Sequence, residues 1–139
     1  MNRSEIRGGV DTSVLMRLLT GQPAPLANSA FEFLAEVEDA GAGLFVSNLV
    51  VSEAYFTCQH HYGMTEENVI HGLRALLSQR TFVVHPALLD VLALKNIATA
   101  KPGFLDRIIH GEYETSGLPL VTFEKSATRL PGTRVLPGL

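Results

Sequence analysis

Apolar positions recur along this chain in two rhythms. Short apolar runs of strand length, at 6–10, 44–47, 81–85, 118–122 and 134–136, alternate with longer stretches of helical period. Thr12 opens a helical pattern that runs through Leu19, and Gly21, Pro23 and Pro25 end it. Ser29 and Glu32 have the spacing of a capping box, and Ala30, Phe33, Leu34 and Val37 follow at i, i+3, i+4 and i+7, which predicts a helix over 30–40. Further helices are predicted over 49–61, 65–78, 86–99 and 105–115, with a short one at 125–129. Glu66 and Glu67 suit the first turn of theirs, where the helix dipole favours acids, and Pro86 suits the first turn of its own. Gly8 and Gly9 weaken the first strand, because glycine offers a strand no side chain to pack.

Strands alternating with helices predict an α/β fold with a parallel sheet covered on both faces. No repeat, low-complexity stretch or linker divides the 139 residues, a length that suits one domain. A chain of this size buries roughly two thirds of its unfolded surface, enough for a real core. Hydrophobic residues make up 46% and charged residues 18%, which excludes a disordered chain. Cys58 is the single cysteine, so no internal disulfide forms and a reducing compartment is expected. The start, MNRSEIRGG, lacks the apolar core of a signal peptide, and no run reaches the ~18–20 apolar residues of a membrane span. The expectation is a cytoplasmic protein with no membrane partner. The net charge of −3 gives no global attraction to nucleic acid, although Lys95, Lys101, Arg107, Lys125, Arg129 and Arg134 gather in the last third.

The chemistry resides in four acids, each beside a segment expected in the core. They are Asp11 in GGVDTSVLMRLL, Glu53 in NLVVSEAYF, Asp106 in GFLDRIIH and Glu124 in LVTFEKS. An isolated carboxylate taken out of water is costly, and a divalent cation is the cheapest shared partner for several. Open parallel sheets bind ligands beyond the carboxyl ends of their strands. Asp11 and Glu124 each follow a predicted strand, and Glu53 and Asp106 come from helices. Each acid also has a plainer reading. Asp11 and Asp106 suit helix N-termini, and Glu124 suits a loop or a cap. Glu53 shares a helical face with Leu49 and Phe56, read as the buried stripe, so a surface role fits it least.

In order and context, VDTSVLMRLL, the glutamate of VVSEAYF, FLDRII and LVTFEK resemble the PIN-domain ribonucleases, in particular the VapC-type toxins of toxin–antitoxin pairs. The resemblance covers nearly the whole chain, and its most specific piece is the opening strand followed by Asp-Thr-Ser-Val-Leu. It implies a single PIN-like domain over 1–139, a three-layer α/β/α fold with a short parallel central sheet, and Mg²⁺ or Mn²⁺ held by Asp11, Glu53, Asp106 and Glu124 as the catalytic set. It places Thr12, Ser13 and Thr122 as supporting hydroxyls, and Lys125 and Arg129 stand where RNA phosphates could be contacted. It further implies hydrolysis of RNA to a 5′-phosphate and a 3′-hydroxyl, a homodimer, and a cognate antitoxin whose arginine covers the acids. Without metal the carboxylates are expected to repel one another, raising the pKa of one or more.

The chain departs from the family pattern where Glu124 replaces the usual Asp and where Arg107, His110 and Glu112 follow Asp106. These departures motivate an alternative, a catalytically weak or inactive PIN-like module that binds RNA or protein. A receiver-type phosphoacceptor would need a second acid at the end of a middle strand, where His85 stands, and a dehalogenase-type phosphatase would need Asp in place of Ser13. His60, His61, His71, His85 and His110 form no metal-binding spacing, and structural or surface roles are expected for them, as for Asp90 and Cys58.

Overall fold

The computed structural model describes residues 5–138. The first four residues of MNRSEIRGG, and Leu139, lie outside the described residues. The chain packs as two compact units, Met1–Val84 and His85–Leu139. The boundary falls inside VVHP, where an apolar run leads straight into Pro86 and no polar linker marks it.

The first unit contains β1 (Ile6–Val10), α1 (Thr12–Thr20), α2 (Ala24–Asp39), β2 (Gly43–Val46), α3 (Asn48–His60), α4 (Glu66–Leu77) and β3 (Phe82–Val83). Its strands form one sheet in the order β1-β2-β3, all parallel. Parallel neighbours cannot be joined by a tight turn, so a pair of helices makes each return. Leu15, Val37, Val46, Val51, Ala54, Val69 and Leu73 are almost wholly buried, one or two from each element around the central strand. The register shifts between Ile6 and Gly8, so the irregularity of β1 falls beside its two glycines.

Side chains close the helix starts at Asp11, Ser47 and Thr65, which accept the backbone N–H of Val14, Val50 and Asn68 respectively. Gly21, in the left-handed region at φ 68°, ends α1 by donating its N–H to the Arg17 carbonyl at 2.8 Å.

The second unit contains α5 (Pro86–Ala93), a 3-10 turn (Ile97–Thr99), α6 (Phe104–Thr115), β4 (Val121–Thr122), a second 3-10 turn (Lys125–Arg129) and β5 (Arg134–Val135). β4 and β5 pair in parallel. The helices α5 and α6 meet closely where Gly111 faces Ala87; a Cβ on Gly111 would stand 2.5 Å from the Ala87 Cβ. His110 is buried, and its Nε2 donates to the Pro131 carbonyl at 2.7 Å, tying α6 to the segment that leads into β5.

The fold is therefore α/β with parallel strands and six α-helices among the described residues. The strands are shared between a three-stranded sheet and a two-stranded one, where the alternation of strands and helices predicts a single parallel sheet.

Four element readings are corrected. α2 begins at Ala24, not at 30, because Pro25 fits a first turn whose N–H groups lack partners in any case. Ser29 is thereby inside the helix and caps nothing. The helix expected over 86–99 stops at Ala93, where Leu94 turns extended and Asn96 takes φ 58°, a conformation asparagine tolerates better than most residues. The strands at 81–85 and 118–122 shrink to two residues each. His85 leaves β3 to cap α5 through Nδ1, and Pro119 has no N–H to give a ladder. No helix among the described residues is long and apolar enough to cross a membrane.

Candidate functional site

In the first unit, parallel β1 and β2 deliver their carboxyl ends to the same side of the sheet, so Asp11 and Ser47 start α1 and α3 together. Glu53 lies on the second turn of α3. Thr12 donates its hydroxyl to Glu53 Oε1 at 3.2 Å, which holds that carboxylate at the N-terminal end of α1. Asp11 Oδ1 accepts the Ser13 hydroxyl at 2.6 Å and the Val14 N–H at 3.2 Å. Asp11 is thus both the residue at the strand end and the cap of α1.

In the second unit, Asp106 and Glu124 line one cavity of about 230 Å³ together with Ile109, Tyr113, Leu120, Val121, Thr122 and Ala127. Asp106 occupies the first turn of α6. Glu124 follows β4 and caps the 3-10 turn, with Oε1 accepting the Ser126 hydroxyl at 2.8 Å and the Ser126 N–H at 3.1 Å. The Thr122 hydroxyl accepts the Glu124 N–H at 3.0 Å, which fixes the bend after β4. Of the expected RNA contacts, Lys125 is exposed, and Arg129 donates from Nη1 to the Lys101 carbonyl at 3.1 Å.

Each unit thus gathers two of the four expected ligands with supporting hydroxyls: Asp11 and Glu53 with Thr12 and Ser13, Asp106 and Glu124 with Thr122. Among the described residues, no group of three or more His, Cys, Asp or Glu could hold a metal ion. The donors in both pairs are oxygen only, as hard cations require. Mg²⁺ commonly takes just one or two protein carboxylates, filling its octahedron with water and substrate phosphates, so a pair fits it.

The burial argument for these acids is overturned, since all four carboxylates are exposed. The misreading is sharpest at Glu53. Its companions Leu49 and Phe56 are 71% and 51% exposed, and the buried stripe of α3 is instead Val51, Ala54, Tyr55 and Cys58. Two apolar stripes compete on this helix, and the one through Val51, Ala54, Tyr55 and Cys58 is the one that packs inward. Phe56 stacks on His60 at 5.6 Å on the outer face.

The expected rise in carboxyl pKa is also reversed at two positions. The Ser13 hydroxyl, followed by the Val14 N–H, holds the Asp11 carboxyl below its ordinary value. The Ser126 hydroxyl and N–H, with a smaller contribution from the Lys101 charge, do the same at Glu124. Local donors to the ionised form outweigh the cost of desolvation at these positions. Both groups therefore stay ionised, as a metal ligand must.

A lowered folded-state pKa stabilises the fold fully above the unfolded value, and that contribution disappears as pH falls through the lowered one. Urea unfolding followed from neutral pH down through the acid range should show stability falling in that window. Ser13→Ala, which removes the largest cause at Asp11, should flatten the fall; an unchanged slope contradicts the assignment.

Sequence reasoning missed the apolar wall of the second-unit cavity. Asp106, Ile109 and Tyr113 stand at i, i+3 and i+7 on α6, so the helical period carried the signal. It also missed a groove of about 290 Å³ between α1 and α2, lined by Ser13, Val14, Arg17, Leu26, Ser29, Ala30 and Phe33. The false capping box at Ser29 hid it. Comparison with protein-family models, with curated proteins and with solved structures finds no match to this chain.

Proposed function

We propose that this protein is a Mg²⁺- or Mn²⁺-dependent endoribonuclease of PIN-like architecture, acting in the cytoplasm as the toxin of a toxin–antitoxin pair. The observation that carries the reading is the pairing of strand-end and helix-borne carboxylates, Asp11 with Glu53 and Asp106 with Glu124, each pair supported by hydroxyls one or two residues away. A divalent cation bound there would supply Lewis-acid stabilisation of charge developing on the phosphodiester. The chain's own residues do the positioning. Ser13 and Ser126 keep Asp11 and Glu124 ionised, and Thr12 aims Glu53. The apolar wall of Ile109, Tyr113 and Val121 offers a face on which a nucleobase can rest beside the second acid pair. On this reading the protein works as a homodimer, and an antitoxin arginine over the carboxylates would compete with metal. Exposed apolar side chains on α2 and α3, among them Phe31, Phe33, Leu49 and Phe56, are the kind of surface such partners cover.

One observation favours the second reading, a PIN-like module that binds RNA or protein without cutting. Asp11 and Glu124 already have structural work as caps, and no larger donor cluster accompanies them among the described residues. Single-stranded RNA incubated with the purified protein separates the two. Cleavage that needs Mg²⁺ or Mn²⁺ and stops in chelator supports the nuclease. Intact RNA, together with no heat of Mn²⁺ binding at millimolar concentration in calorimetry, selects the inert module.

A further inference from the structure

The second unit carries a set of positive charges held in place by neutral partners. Arg129 donates from Nη1 to the Lys101 carbonyl at 3.1 Å, and Arg107 donates from Nε to the Pro102 carbonyl at 2.7 Å. Two guanidiniums, one from α6 and one from the second 3-10 turn, are thereby fastened to successive carbonyls of a single loop. A carbonyl fixes a guanidinium without neutralising it. No salt bridge among the described residues involves Lys101, Arg107 or Arg129. Lys101 is exposed on the same loop, and its charge reaches Glu124, a lining residue of the acidic cavity. Like charges gathered around one loop repel one another, and a bound anion offsets that cost. The surrounding charge agrees. The second unit holds six of the eleven Lys and Arg but only five of the fourteen Asp and Glu, so it is net positive in a protein of net charge −3.

The geometry points to Lys101, Arg107 and Arg129 as a phosphate clamp for single-stranded RNA, gripping the backbone next to the phosphate presented to Asp106 and Glu124. This rests on the nuclease reading and extends it to a part of the surface that the acids do not account for. The ligand is a nucleic-acid strand because successive phosphates let one sit among the three cations while its neighbour reaches the cavity. An arginine held by one donor keeps others in its rigid fork for phosphate oxygens. Lysine supplies a point charge without a fixed geometry. The clamp carries no base-reading element, so it adds affinity without sequence preference.

The test is fluorescence anisotropy with a short labelled single-stranded RNA of mixed sequence, Ca²⁺ replacing Mg²⁺, over a series of salt concentrations. Lys101→Gln is the cleanest variant, since its side chain holds no backbone group in place. It should weaken binding and make the slope of log affinity against log salt shallower by about 0.7, the amount expected when one phosphate is no longer neutralised. Arg129→Gln should do the same, and Arg129→Lys should restore most of the slope while the melting temperature reports that the loop is intact. Lys95→Gln, in the same unit outside the clamp, should leave the slope unchanged. A wild-type slope in Lys101→Gln and Arg129→Gln overturns the clamp, and so does an equal loss in Lys95→Gln. Tighter binding of a glutamate oligomer than of RNA also overturns it, in favour of an acidic peptide. If the variants lose slope but wild-type protein never cuts RNA in Mg²⁺, the clamp stands and the nuclease reading fails. If wild-type protein cuts and the slopes do not move, the clamp alone fails.

Discussion

Asp11→Asn should abolish Mg²⁺-dependent RNA cleavage while leaving the melting temperature close to that of the parent. The two outcomes separate because Asp11 has one observed job, as a cap, and one proposed job, as a metal ligand. As a cap it offers Oδ1 to the Val14 N–H, and asparagine caps helices about as well as aspartate. As a metal ligand it must bring a negative charge, which asparagine does not. Loss of a partner one shell beyond a metal already costs up to about a hundredfold in affinity or activity, so loss of a ligand should cost at least that. Asp11→Ala is the poorer test, because it removes the cap together with the charge and lowers stability as well. A rate in Asp11→Asn within a few-fold of the parent removes Asp11 from the mechanism. A parent-like rate in Asp11→Asn and a reduced one in Asp11→Ala would mean that only the cap matters.

Gly111→Ala should destabilise the protein by about 2 kcal/mol, within the range that inserting a methyl group into a packed site costs. The new Cβ would stand 2.5 Å from the Ala87 Cβ, and neither atom can rotate away, since each is fixed to its helix backbone. Alanine's better helix propensity returns up to ~1 kcal/mol, and the contact is too short for that to prevail. Ala87→Gly in the same chain removes the opposing atom, so the double variant should recover most of the loss. Urea melts of the two single variants and the double complete the cycle. A Gly111→Ala protein as stable as the parent would mean that α5 and α6 do not meet as described. The pair also bears on the site, because α6 carries Asp106, Ile109 and Tyr113 into the cavity.

The legible parts of this chain were those whose signals are local. Pro86 opens α5, and Glu66 and Glu67 fall in the first turn of α4, because such preferences act within a single helical turn. The alternation of strands and helices gave the α/β class for the same reason. What failed depended on tertiary choice. α3 presents two apolar stripes, and only packing decides that Val51, Ala54, Tyr55 and Cys58 turn inward while Leu49 and Phe56 stay out with Glu53. Ser29 and Glu32 match a capping box, yet the two prolines upstream had already set the start of α2. At the candidate site, Ser13 was expected as a supporting hydroxyl beside Asp11, whereas the role of Ser126 beside Glu124 was not. That Ser13 and Ser126 hold Asp11 and Glu124 ionised follows from cap geometry two residues away, which the positions of the acids alone do not contain.

The guanidiniums seated on the 101–102 carbonyls keep their charge at any ordinary pH, whereas the Glu124 carboxylate loses its own once acid overcomes the Ser126 bonds that hold it ionised. Acidification therefore erases one sign of charge and spares the other. On the proposed reading, a molecule drifting that way would grow stickier toward polyanions just as it surrendered an oxygen meant to hold an ion, so grip and cut would be separable by proton concentration alone.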